Sequence, residues 1–577
     1  MKMYFRNILF IAAAALVCVS CEDFLDTDNL TKKDTSNFPQ TSTDADNMVT
    51  GVYATLSMAV SNPHETYFYV AELVSDERFG GGGENDKHFM AMDHLMNVGP
   101  DAYETFWTAR YRGVFRANMA LQTLDNCEVD ASTLNRYKGE MHFLRAFFYH
   151  ELAEMFGTVP LVLSTDPVNK ERTDIDLIYG QMAYDLKEAI SLLPTEKYNV
   201  QPSGHATKWA AEALLARIFL FYTGFYGKSE LPLGDGTGEA NAGSVSKSEV
   251  IGYVDDCVNN SGQSLVDDFR RLWTYSNPYT AAEYDYVKDL YDSGKTWVVD
   301  GSGNPEHVFA IKASNLADWG TIIGYSNQYC LHFGLRADNG GEDTFPFGVG
   351  WGAGPVNSTL WTEWEKAEPN DMRRKASILD VETESKAFIY GADKQMEETG
   401  FWQKKYTTIR AHDSEGTLKN SFSSLMWTND DGFQLRQVQD LIVIRFADVL
   451  LMQSELKEDV AGINRVRERA KLPAIASYSL DALKRERRFE LAFEGRRWAD
   501  IRRWGDAAEL LGKQAGVNIY NRGLPDIMKN FGSGYATRYS ETGGGFFPLP
   551  QTEIDLSDGV LVQTPGWGTA AQEFTGW

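Results

Sequence analysis

The sequence predicts a mainly α fold: a tetratricopeptide-like scaffold of helix pairs carrying a loop-rich, partly β insertion. Three observations lead there. Amphipathic stretches with apolar residues three and four apart follow one another through residues 44–226 and return over 440–511. Between 227 and 424 that period fades, and Gly, Asn and aromatic residues take over. Residues 479–505, SLDALKRERRFELAFEGRRWADIRRWG, read as two short helices joined at Gly495.

At the start of the chain, Lys2 and Arg6 precede an apolar run over 8–19. The run is too short to span a bilayer comfortably and has the charge layout of a signal peptide, assigned here to 1–20. Ser20 supplies the small residue that lipoprotein processing requires before a cysteine, so Cys21 is the expected lipidation site. Cys18 stands where a branched aliphatic residue is usual, but Val17 before it makes Cys18 the poorer acceptor. The polar stretch from there to residue 43 lacks a helical period and reads as a tether.

Helices are expected over 44–58, 103–124, 134–156, 174–192 and 207–225. Antiparallel pairs in this order suggest tetratricopeptide-like repeats, although no fixed 34-residue period is present. His142 and His150 lie eight apart on one of these helices, without a third ligand, and are expected to be structural. His150-Glu151 begins a zinc-protease pattern that fails at Glu154.

Residues 71–101 interrupt the helices. The run Gly80 to Gly83 lacks the Lys-Ser or Lys-Thr of a phosphate loop and reads as a flexible or tightly turned surface loop. Around it stand Asp76, Arg78, Phe79, Asn85, Asp86 and His88. Short polar groups beside an aromatic ring suit sugar hydroxyls and the C–H face of a pyranose, and Arg78, Asn85 and Asp86 are the candidates.

In the insertion, short strands are expected at 307–313 and 388–390, and 227–243 as loop. Trp351 sits among Gly348, Gly350, Gly352 and Gly354, neighbours that cannot cover its ring, so it is a candidate stacking platform. Trp319 and Tyr325, in a polar-aromatic loop, are further candidates, whereas Trp361 and Trp364 fall on a helical pattern and read as core. No cofactor or catalytic residue is expected. The oxygen-rich run Asp338-Asn339-Gly340-Gly341-Glu342-Asp343 is the one candidate for calcium, but it lacks EF-hand spacing and reads as a solvated turn.

Towards the C-terminus, 441–456 reads as a buried helix and 462–470 as a shorter one. In 479–505, Glu486, Glu490 and Glu494 alternate with arginines, and an ion-pair network locking the two helices is expected rather than an acid–base group.

The run E-R-R-F-E-L-A-F-E-G-R-R-W-A-D-I-R-R-W over 486–504 resembles the signature of SusD-like (RagB/SusD) proteins, outer-membrane lipoproteins that capture glycans at the cell surface. The opening Cys21-Glu22-Asp23-Phe24-Leu25-Asp26, the segments GEMHFLRA and ATKWAAEALLAR, and the closing FFPLPQTEI and QTPGW are similar to further elements of that family. Thr564 replaces its usual Asn. The resemblance implies one domain over 44–577 with a right-handed scaffold at 44–226 and 440–511, and ligand loops at 71–101 and 227–424. It implies a lipid anchor in the outer membrane, exposure at the cell surface, an oligosaccharide or polysaccharide ligand, and delivery to a SusC-like TonB-dependent transporter. It implies binding without chemistry.

The net charge of −26 argues against a nucleic-acid partner. Cys127, Cys257 and Cys330 are far apart and odd in number, so they read as buried hydrophobes. The rival readings are a surface glycoside hydrolase, which needs two carboxyls about 5–10 Å apart across a cleft, and a receptor of the same family for peptide or other non-glycan cargo.

Overall fold

Side-chain acceptors open most of the scaffold helices, each satisfying a backbone N–H that the first turn leaves orphaned. Thr41 and Asp44 form a capping box at α1 (Ser42–Tyr53), and Thr66 caps α2 (Tyr67–Leu73). The short α3 (Lys87–Asp93) and the long α4 (Glu104–Thr123) follow. Asp130 caps α5 (Ala131–Phe156), Asp174 caps α6 (Ile175–Leu192), Thr207 caps α7 (Lys208–Phe225) and Ser246 caps α8 (Lys247–Asn260). This computed structural model describes residues 38–57, 63–198, 204–299, 303–319, 326–336, 344–385, 388–428, 430–569 and 572–577. Cys21, Tyr325 and the run 338–343 lie outside them.

Successive helices pack on one another: α4 on α5, α5 on α6, α6 on α7 and α7 on α8. Arg145 pins three of them, donating to Asp185 at 2.9 Å and to Asn118 at 2.8 Å. His142 bonds the same Asp185 at 2.8 Å, and buried His150 lies 3.5 Å from Glu154, so both histidines serve the scaffold. One apolar core runs unbroken from Ala45 to Trp567, joining the scaffold to most of the insertion. Cys127, Cys257 and Cys330 are all buried.

The insertion opens with a hairpin, β1 (Leu231–Gly234) against β2 (Asn241–Val245), where the sequence suggests only loop. β3 (His307–Ile311) fulfils the strand expected there, while 388–390 forms none. Then come α9 (Gln328–His332), β4 (Leu335–Arg336), β5 (Val349–Gly350) in parallel with β4, and α10 (Ser358–Ala367). Trp364 on α10 is buried against Phe489, as expected of a core ring.

The single helix expected over 441–456 is two elements. β6 (Leu441–Arg445) pairs antiparallel with β3, and α11 (Phe446–Lys457) begins where it stops. The Leu-Ile-Val-Ile run is rich in β-branched residues and largely buried on both faces, a pattern that suits a buried strand and that periodicity cannot separate from a buried helix. α12 (Ala461–Arg469) follows, then α13 (Leu480–Leu491), capped by Ser479 at 3.1 Å, and α14 (Arg497–Arg503). Gly495, with φ 69°, makes the reversal between them. The hairpin β7 (Asn518–Asn521) and β8 (Leu524–Ile527) completes the elements used below.

The Glu/Arg cluster of 479–505 is the ion-pair network expected, and it reaches further than two helices. Arg373 donates to Glu486 at 2.7 Å and to Glu490 at 2.8 Å. Glu490 also receives Arg445 and Arg469, and Glu494 receives Lys405 and Arg445. Asp76, between α2 and α3, receives Arg497 at 2.7 Å. Strand, helix and N-terminal segment are thus tied to one buried lattice.

Candidate functional site

The four glycines at 80–83 are buried, which corrects the expectation of a surface loop. They form a tightly turned seam clamped between two other segments. Gly82 N donates to the Gly352 carbonyl at 2.7 Å, Gly81 bridges Ala353, and Gly83 bridges Gln395. A Cβ on Gly81 would meet the Gly352 carbonyl at 2.6 Å, and one on Gly80 would press into the Met90 backbone. Glycine is required because backbone approaches backbone here. Beneath the seam, Glu397 accepts from Gly81 N and from Trp577 Nε1, both at 2.9 Å, and burial pushes its carboxyl up to about 7.

Arg78 lies at the start of this seam and does not reach the surface, at 0% exposure. It bonds Glu72 at 2.6 Å and the Gly354 carbonyl at 2.9 Å, and its guanidinium lies 4.5 Å from the rings of both Phe333 and Phe493. Glu72 in turn accepts from Gly495 N at 2.6 Å. Arg78 therefore joins the C-terminal helical hairpin to the segment carrying Trp351. As a ligand contact it is corrected: the ion pair and two rings that neutralise and cover it hold it in the core.

Trp351 follows β5 on the clamped segment and is 38% exposed. Its backbone N–H donates to the Leu331 carbonyl at 2.9 Å, and its ring rests on buried His332 at 4.3 Å between centroids. His332 is stacked parallel to His64 at 6.0 Å, and His64 meets His88 edge-on at 5.7 Å. Tyr69 OH lies 3.2 Å from His332 Nδ1 below. The result is a ladder of rings, two of them half open, with Trp351 at its exposed end. Burial and the adjacent His64 hold His88 down at about 4, and burial with the two neighbouring imidazoles holds His332 well below the usual imidazole range.

A polar border surrounds the ring. Asp86 accepts from Gly83 N at 2.7 Å and from Arg336 Nη1 at 2.9 Å, and the same Nη1 donates to the Trp351 carbonyl at 2.8 Å. Arg336 also lies 3.1 Å from Asp393. Glu84 pairs with Lys394 and lies 3.6 Å from Arg522 on the β7–β8 turn. Asn85 is exposed between Glu84 and Asp86.

The structure thus brings Asn85, Asp86 and Trp351 to one face. Trp319 is open to solvent, at 65%, on a loop that Arg436 pins through the carbonyls of Asn315 and Ala317, both at 3.0 Å. No ring contact or hydrogen bond among the described residues joins it to Trp351. His64, His332, Arg336, Asp393 and Lys394 are part of the face and carry no local signal in the sequence. They come from three separate stretches, around 64, 332–336 and 393–394, that only the fold assembles. Among the described residues no group of three or more His, Cys, Asp or Glu is placed to hold a metal, and no helix is long and apolar enough to cross a membrane.

Two family models match the chain: one described as starch-binding associating with outer membrane, over residues 23–220, and one described as the SusD family, over 356–567. Two SusD-like proteins of Formosa agariphila are each 24% identical to it, one over 80% of both chains, the other over 87% of this chain and 90% of its own. Among solved structures, a laminarin-binding SusD-like protein superposes with a TM-score of 0.67 at 24% identity, covering 92% of this chain and all of that one. The surface glycan-binding protein A of Bacteroides thetaiotaomicron, in complex with laminarihexaose, gives 0.67 at 20% identity over 91% of this chain and 100% of its own. With both halves of the scaffold matched by models of one family, and the signature hairpin locked into the lattice described above, the chain belongs to the SusD-like family.

Proposed function

We propose that this protein is a cell-surface glycan receptor whose binding face is built around Trp351. One observation carries the reading: a half-exposed indole held rigid by a glycine seam and bordered by polar groups, in a family whose members include a laminarin-binding protein. Stacking one pyranose on the indole contributes about 1–2 kcal/mol at about 25 cal/mol per Å². Together with hydrogen bonds to Asn85, His64 and His88, this gives dissociation constants on the order of μM to mM, suited to a receptor that must release its cargo. The carboxylates of the face, Asp86, Glu84 and Asp393, are committed to Arg336 and Lys394, which supports binding without chemistry. In this reading Cys21 carries the lipid that holds the protein at the outer membrane, and the captured oligosaccharide passes to a SusC-like TonB-dependent transporter.

The test is retardation of the soluble form, beginning at Glu22, in native gels containing laminarin and other polysaccharides, with new reducing ends measured in the same mixtures. The reading expects retardation by at least one glycan, an apparent affinity about 10-fold weaker for Trp351→Ala, the equivalent of one stacking platform, and no new ends. Release of new ends would transfer the protein to the hydrolases.

A further inference from the structure

Among the described residues, Arg336 and Lys394 beside Trp351 each have a carboxylate, and Lys87, between Asp86 and His88, is turned to the Thr575 carbonyl at 2.9 Å. Arg336 has two, Asp86 at 2.9 Å and Asp393 at 3.1 Å. Its Nε–H lacks an acceptor but is shut off from solvent. Lys394 is paired with Glu84, and Arg522 approaches the same carboxylate at 3.6 Å. Burial holds His88 down at about 4 and holds His332 well below the usual imidazole range, so neither adds fixed positive charge at neutral pH, and His64 has the Glu65 carboxylate beside it at 3.4 Å.

We infer that this face selects an uncharged stretch of glycan and rejects stretches bearing uronate or sulfate; the inference rests on the glycan reading above. An anionic group arriving at the ring would have to displace Asp86, Asp393 or Glu84 from its partner, or lie beside a carboxylate with nothing to neutralise it. Specificity built this way works by penalising the wrong ligand. Neutral hydroxyls meet no such penalty. A neutral imidazole offers one donor and one acceptor, the Asn85 amide offers both, and stacking on an indole needs no charge.

The experiment uses matched pairs in native gels at about 0.15 M salt, where long-range charge steering is screened: laminarin and its sulfated derivative, dextran and dextran sulfate, hydroxyethylcellulose and carboxymethylcellulose. The neutral member of at least one pair is expected to retard the protein, with its anionic partner weaker by about 10-fold or more, and Trp351→Ala is expected to weaken the neutral interaction. Asp393→Asn releases half of the charge on Arg336 at a positive φ of 47° that asparagine accepts, and is expected to narrow the gap within that pair. An anionic member bound as tightly as its neutral partner, or more tightly, through Trp351 overturns the selectivity and leaves the glycan reading standing. Retention that Trp351→Ala leaves untouched overturns the assignment to this face. Failure of every glycan, neutral or charged, overturns both readings.

Discussion

At the scale of single residues, the exposed indole depends on side chains that are absent. Glycines flank Trp351, and a second set at 80–83 lets the supporting segment approach within hydrogen-bond distance. Gly81 is the strictest position, with φ 68° and backbone and proline atoms where its Cβ would go. Gly81→Ala is therefore expected to cost about 1–2 kcal/mol for the left-handed backbone alone, with more for the collision, and to shift the seam under Trp351. Urea denaturation and laminarin retardation should both report it. Gly99→Ala, with open space around its Cβ, is the control and should move neither. The exposure of Trp351 was legible because glycine composition states what cannot cover a ring. The burial of Arg78 was not, because Glu72, Phe333 and Phe493, which enclose it, come from three different stretches.

At the scale of elements, the pattern of 479–505 announced its own structure through a cap at Ser479, a reversal at Gly495 and alternating charge. Its reach into the rest of the fold was hidden, since Arg373, Arg445 and Arg469 look like ordinary surface residues until strand and helix bring them to Glu490. The same limit turned β6 into helix in the sequence reading: four apolar residues in a row have no period, and only pairing with β3 decides between the two. Glu490 is the keystone of the lattice, and its guanidinium partners hold it well below the usual carboxylate range against the opposing effect of burial. Glu490→Gln keeps the shape and removes the charge, leaving three buried guanidiniums under-compensated. Breaking a buried ion cluster at one partner costs about 3–5 kcal/mol, so the urea midpoint should fall sharply. A midpoint within error of the unmutated protein would mean that the lattice positions elements without stabilising them.

At the scale of the whole molecule, buried ionisable groups set how stability varies with pH, and they pull in opposite directions. Burial holds His150 down at about 4 and His94 and His307 at about 3. These bind protons only when unfolded, so stability falls as pH drops below about 6.5. Asp76 and Asp185, held at about 2 by Arg497 and Arg145 against burial, add a further loss as pH falls from about 4 towards their folded values. Burial raises Glu77 to about 7 and Glu398 to about 8. These keep their protons when folded, so their contribution is complete below about 4.3 and is lost as pH rises through the folded values. Between about 4.3 and 6.5 the histidine and glutamate effects oppose each other, which predicts a broad plateau with decline on both sides. Glu398 isolates the alkaline limb, since it is fully buried, accepts from Gly391 N at 2.6 Å and has a second oxygen without a partner. Glu398→Gln mimics the protonated form and keeps that acceptor. Its urea midpoint relative to the unmutated protein should rise steadily from about pH 5 to pH 8, because only the unmutated chain must then either hold a proton or bury a charge. Parallel pH profiles for the two proteins would show that the Glu398 carboxyl is solvated in solution, and the alkaline decline would then have to come from Glu77 and Glu397.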